Sequence, residues 1–384
     1  MLLLFVFMPS LYLFTYIFSR WNEIYVTVFA HPIIGNQYWT EIVRALNLSF
    51  RLSLTTVAID LVIGIPLAYL LGKKDFPGKS LIEDLTILPL VIPTSGFGFA
   101  TMIAWTASYG LAALLGLRVG VDTVVPLVNI PLIMLIVHVA LTFPYIVNTV
   151  VGALKDLSAS FEIVSSSLGA HPVTTFRKVT FPLILPSILS GSVLAFARSL
   201  GETGATMIVS GVSTTASIAI VRWEFENKLA PAAFLGAILV GVSMILIVPI
   251  EYALGGTIKG RRIIPLSVES FIVKLEKSIP RKMSWLRDIV SIFFLSIIIL
   301  MPIAVLLYNA VIYWSCDPYT GRVEGGILYQ LFGPSDYYSS IVSSIITSLL
   351  VASIATLISA LVGVLAVLLM AHSRFGRFIK VLLK

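Results

Sequence analysis

The stretch Glu162-Ile-Val-Ser-Ser-Ser-Leu168-Gly169-Ala-His-Pro172-Val-Thr-Thr-Phe-Arg-Lys-Val179-Thr-Phe181-Pro182 is a polar island between two long apolar runs. Its first part reads as an amphipathic helix, because Phe161, Val164 and Leu168 recur at i, i+3 and i+7 on one face. Gly169 breaks that helix and permits a tight turn that a side chain would strain. Pro172 suits the first turn of a second helix, where its missing N–H costs nothing. Val173, Phe176 and Val179 follow at three-residue spacing. Pro182 is expected to end that helix before the next apolar run begins. Two short, partly apolar helices joined at a glycine form a compact knob suited to a partner's groove.

The rest of the chain sets this knob in a membrane. Of 384 residues, 58% are hydrophobic and only 12% charged, where a soluble domain carries about a quarter charged residues. Most of the surface must therefore face lipid. A spanning helix needs about 20 mostly apolar residues, and eight candidate spans supply them, at 2–19, 47–72, 83–106, 124–150, 183–210, 232–256, 288–310 and 341–371. The runs are continuous rather than alternating, which excludes a β-barrel. The expected fold is an all-α polytopic bundle of about eight transmembrane helices. Pro66, Pro89, Pro93, Pro131 and Pro144 interrupt it where neighbours or water can satisfy the freed backbone groups. Met1–Ser19 lacks a charged start and a small-residue cleavage site, so it reads as a retained first span.

The net charge of +7 is first a topology signal. With the N-terminus in the cytoplasm, inside loops hold 18 of the 26 lysines and arginines and outside loops hold 6. Arg51 and Arg198 lie within spans. This split puts both ends and the knob in the cytoplasm. An internal repeat is also visible. Ser49-Phe-Arg-Leu-Ser through Gly64 to Phe76-Pro-Gly-Lys79 is echoed, 299 residues on, by Ser348-Leu-Leu-Val-Ala through Gly363 to Phe375-Gly-Arg-Phe378. The expected organisation is a first repeat at 1–256 with the knob at 151–182, a basic linker at 257–287 and a partial second repeat at 288–384. A second copy, or residues beyond Lys384, would complete the second repeat.

At the knob the sequence resembles the binding-protein-dependent permeases of type I ABC importers. Their docking loop carries a Glu-Ala-Ala stretch, then a Gly, nine residues and Ile-x-Leu-Pro. Here Gly169 is followed by nine residues and Val179-Thr-Phe181-Pro182. Glu162 takes the first acidic position, while Ile163, Val164 and Ser165 replace Glu, Ala and Ala, so the acidic contact falls to Glu162 alone. The resemblance implies that Glu162, Ser165, Leu168, Gly169, Pro172, Val179, Phe181 and Pro182 enter a cleft on a separate ATPase subunit. It also implies an extracytoplasmic binding protein and a second permease half or copy.

Further along, Ala197-Arg198-Ser-Leu-Gly201-Glu202-Thr203-Gly204-Ala resembles the Ala-Arg-Ser-Leu-Gly-Glu-Phe-Gly-Ala stretch of molybdate, tungstate and sulfate permeases. Phosphate permeases carry a related Gly-Glu-Thr stretch, and the fused arrangement points toward iron or thiamine importers, so the substrate stays open among these. Arg198 and Glu202 stand at i, i+4 and can pair on one helix face. Charges within a span are costly unless paired or facing a pore, so the pair is either structural or part of a gate. Asp60 is a third such charge and a candidate partner for Arg198. Gly201 and Gly204 permit close helix contact.

Gly72-Lys-Lys-Asp-Phe-Pro-Gly78-Lys79-Ser80 mimics a phosphate loop but has five residues between its glycines and follows an apolar helix rather than a strand. It reads as a basic turn, which leaves ATP hydrolysis to the partner and makes the chain itself no enzyme. His31, His138, His171 and His372 are not at ligand spacing, and Cys316 is alone. No metal, cofactor or nucleic acid is expected. An ion-coupled secondary transporter using Asp60 and Glu202 is the rival from another class, and it would not need the Gly169-to-Pro182 loop.

Overall fold

A computed structural model describes residues 8–108, 110–254, 266–278, 284–333 and 336–372. It falls into two units, Arg20–Ala304 and Met1–Ser19 with Val305–Lys384. Among the described residues, seven helices are long and apolar enough to cross a membrane.

The larger unit is built on α1, Ile34–Lys73. Its 40 residues make a rod of about 60 Å, twice the ~30 Å hydrocarbon layer, so α1 runs well past one side of the bilayer. The expected span at 83–106 is two helices, α2 (Lys79–Val91) and α3 (Thr94–Thr106). Pro93 drives the preceding residue out of helical geometry, and Ile92 is extended at ψ 135°. The expected span at 124–150 likewise starts late. Val124–Val125 pairs antiparallel with Ile130–Pro131, and α4, Leu132–Asp156, begins only after Pro131 has capped it.

Helix α4 is the centre of the unit. Its Met134, Ile146 and Leu154 are fully buried with Leu67 and Leu71 of α1 and Phe97 of α3. After α4 come α5 (Ser160–Ser167) and α6 (Pro172–Leu200). Pro182 does not end a helix, as expected from sequence, because α6 runs through it. A π turn at Phe176–Thr180 loosens the backbone just ahead of Pro182, where its ring would otherwise strike the carbonyl four residues back.

Helix α6 crosses α4 at Gly191, where a Cβ would overlap Thr149 and stand 3.2 Å from Ile146 Cα. Small residues of this kind let helix backbones meet in a membrane. The expected span at 183–210 stops at Leu200. Gly201–Thr203 is not helical, and a short α7, Gly204–Val209, follows. Helix α7 packs on α3, where a Cβ on Gly98 would come 2.8 Å from Ala205 Cα. The unit continues through α8 (Ala216–Phe225), α9 (Leu229–Leu254), α10 (Leu266–Ser278) and α11 (Ser284–Leu295).

The smaller unit contains the helices Met8–Ser19, Ile327–Phe332 and Asp336–His372. Residues 2–7 of the expected 2–19 span lie outside the described residues, as do Phe375–Phe378 of the repeat and the linker segments 257–265 and 279–283.

Candidate functional site

The knob is a V closed on itself. Gly169 turns it at φ 79°, and its N–H donates to the Ser166 carbonyl at 2.9 Å. The two arms are joined by Ser165 and Thr175, whose hydroxyls stand 2.9 Å apart, and by Thr180, which donates to Glu162 at 2.8 Å. The second Glu162 oxygen lies 3.7 Å from Lys73 at the end of α1. Glu162, expected to offer its charge to a partner, is thus engaged within the chain. The outward face of α5 is apolar instead: Phe161, Ile163, Val164 and Leu168 are exposed, Leu168 at 83%. Pro172 and Pro182 are exposed and Val179 and Phe181 half-buried.

Helix α10 braces the far arm, which no reading of the sequence anticipated. Glu276 is almost fully buried and accepts from Arg177 Nε at 2.5 Å and from Thr174 at 2.6 Å. Glu269 pairs with Lys178 at 2.7 Å and with Arg177 at 3.5 Å. Arg177 holds the Glu276 carboxyl below the usual carboxylate range, mainly by its hydrogen bond. The hydrogen bond from Lys178 does the same to Glu269. At the same end, Lys74 meets Asp288 at 2.5 Å and Lys155 meets Glu83 at 2.9 Å.

Arg198 and Glu202 do pair, across the end of α6. Glu202 also accepts the Ala205 N–H at 2.9 Å and so caps α7. The glycine contact expected of both Gly201 and Gly204 is made at Gly204, where a Cβ would stand 2.8 Å from Thr94 Oγ1. The expected link from Asp60 to Arg198 is absent among the described residues. Asp60 points at α4 instead and accepts from Thr142 at 2.5 Å. Above it lies a buried belt in which His138 bridges Ser199 at 2.8 Å and Thr206 at 2.9 Å, while Ser53 donates to Ser199 at 2.9 Å. The belt ties α1, α4, α6 and α7 together. Its sequence signal was the run Ser49, Ser53, Thr56, Asp60 along one helix face.

A family profile described as "Binding-protein-dependent transport system inner membrane component" matches residues 64–254, from α1 through the knob to α9. The chain is 31% identical over 216 residues to the molybdenum transport system permease protein ModB of Haemophilus influenzae, covering 53% of this chain and 91% of that one. The chain belongs to this permease family. It is also 28% identical over 214 residues to the molybdate/tungstate transport system permease protein WtpB of Pyrococcus abyssi, covering 56% of this chain and 79% of the relative. A probable sulfate transport system permease protein, cysT of Helicosporidium sp., is 32% identical over 174 residues, or 44% of this chain and 61% of that one. The permease is therefore a component of a type I ABC importer, and its matched segment contains both the knob and the Arg198–Glu202 pair.

Proposed function

We propose that this permease forms, with a second permease half or copy, the membrane path of an importer for a small oxyanion of the molybdate, tungstate or sulfate type. A cassette ATPase binds its knob and an extracytoplasmic binding protein delivers the substrate. The observation that carries the reading is the knob. It is stapled internally through Glu162, Ser165, Thr175 and Thr180, yet leaves the apolar face of α5 uncovered, as a docking element must. It also passes without a break into α6, which ends at Arg198 and Glu202. The names of the relatives support the substrate class.

In this reading Leu168, Gly169 and Pro172 meet the ATPase. Glu162, Ser165, Val179, Phe181 and Pro182 shape the knob behind them. Glu202 and Gly204 set the geometry next to the pore, with Arg198, Gly201 and Asp60 beside them. The end carrying the knob faces the cytoplasm, since Lys73, Lys74, Lys155, Arg177 and Lys178 gather there. Residues 1–256 act as the first permease repeat, 257–287 as a linker and 288–384 as part of a second.

Gly169→Trp tests this directly. A side chain at positive φ costs about 1–2 kcal/mol and bulk at the tip blocks docking. The ATPase is expected to stop co-purifying and labelled molybdate uptake into proteoliposomes to fall at least about tenfold, while the permease itself still purifies. Undiminished co-purification and uptake would overturn the docking role.

A further inference from the structure

We propose that one face of α1, from Asn36 to Thr55, lines the outer part of the anion path, and that Arg44 and Arg51 on it draw in a small tetrahedral oxyanion. This rests on the importer reading above and places its substrate on named residues. Asn36, Thr40, Arg44, Asn47, Arg51 and Thr55 follow one another at steps of four, four, three, four and four. At 100° per residue they fall within a sector of about 100°, in which the exposed Leu54 is the apolar exception. All six are exposed or half-exposed.

The helix has two other faces. Ser49, Ser53, Thr56 and Asp60 are buried inside the unit. Trp39 and Val43 are exposed and apolar, and lipid suits them. The polar face fits neither setting: Arg51, within the span, needs a partner or water, and Asn36, Thr40 and Arg44 continue the same face outward where α1 runs past the bilayer.

The two arginines on this face carry uncompensated charge. Among the described residues neither Arg44 nor Arg51 takes an ion pair, and Arg51 makes one long bond, 3.4 Å, to the Val128 carbonyl. The acid on the neighbouring turn, Glu41, is occupied by Arg222. Two guanidinium groups are thus left facing open space, seven residues or about 10 Å apart along the helix. Their planar forks match the oxygens of a tetrahedral anion.

The outer end of the face opens into a cavity of about 590 Å³, where Asn36, Gln37, Thr40, Glu41, Arg44 and Thr214 share the lining with four apolar residues. That space admits a hydrated oxyanion with hydrogen-bond donors around it. At Ala58 and Val62 the same face becomes apolar, so the attraction ends part-way along the helix. Two separated charges of this kind raise the rate of entry without trapping the ion.

The test uses the permease–ATPase complex with its binding protein in liposomes and labelled molybdate. The double variant Arg44→Gln/Arg51→Gln is expected to lower uptake about tenfold with the ATPase still co-purifying. Arg44→Lys/Arg51→Lys should recover most of the loss. Independently, with Cys316→Ser as background, Asn47→Cys and Thr55→Cys should react with a charged, water-soluble thiol reagent and be slowed by molybdate, whereas Phe50→Cys, at the same depth but off the polar sector, should not react. Full uptake by the glutamine pair would overturn the proposal and leave the importer reading intact. So would a Phe50→Cys that reacts as fast as Asn47→Cys. If the glutamine pair fails to assemble, the cysteine pattern decides. Wild-type complex that takes up neither molybdate, tungstate nor sulfate would remove the substrate reading, and a stripe whose cysteines do not react would then remove the water-filled path as well.

Discussion

The knob end of the larger unit and the polar face of α1 handle charge in opposite ways. At the knob end, acids and bases meet pairwise: Glu162 with Lys73, Glu276 with Arg177, Glu269 with Lys178, Lys74 with Asp288 and Lys155 with Glu83. On the polar face of α1, Arg44 and Arg51 face open space. Paired charges cancel one another's fields and fix geometry, so they build a shape for a protein partner to hold. Unpaired charges keep their fields, which suits a ligand that must come and go. Arg198, neutralised by Glu202, belongs to the first kind although it lies near the second.

The contrast breaks most visibly at Glu202. Glu202→Ala would leave Arg198 unpaired, as Arg44 and Arg51 are, and uncap α7. Removing one partner of a largely buried pair is expected to cost about 3 kcal/mol, read as a lowered thermal midpoint of the purified permease. A loss below about 0.5 kcal/mol would show that the pair does not hold this region. Glu202→Gln, which still accepts the Ala205 N–H, should lie between.

The brace on the knob comes next. Glu276→Gln keeps the shape but removes the charge that holds Arg177, and about 1 kcal/mol is expected. The same loss should follow from acid. The folded carboxyl of Glu276 is held below its unfolded value. Its contribution is therefore complete above the ordinary carboxylate range and disappears as pH falls through the folded value. Hydrogen exchange of 266–278 should quicken on acidification in the wild type and change little in Glu276→Gln. Equal acid response in both would assign it to other groups.

The smallest effect belongs to Lys155→Ala. Its bridge to Glu83 is half exposed, and such pairs contribute about 0.5 kcal/mol or less. A larger shift would mean that the knob end is held by a charge network rather than by separate pairs.

The sequence shows this end of the molecule and the spans far better than it shows the rest. Apolar runs are local, so the spans could be placed, but not all their ends: α1 starts at Ile34 rather than 47, α6 covers 172–200 rather than 183–210, and prolines intervene at Pro93 and Pro131. The Gly169 turn is local too. Helix α10 was read only as part of a basic linker, because Glu276 and Arg177 stand 99 residues apart and nothing in either neighbourhood announces the other. Asp60 was assigned to the wrong partner for the same reason: a span shows that a charge is buried but not which helix it faces. The arginine stripe was legible at helical spacing. Counting charges loop by loop makes Arg44 a topology mark and Arg51 a lone charge within a span, so their common face does not show.

Helix α6 joins the knob to the Arg198–Glu202 pair. Its 29 residues measure about 44 Å, and the glycine that lets it cross α4, Gly191, is not central. About 28 Å lies on the knob side of that crossing and about 14 Å on the Arg198 side. The knob side also holds the π turn at Phe176–Thr180 and Pro186, so the longer arm is built to yield and the shorter one to stay stiff.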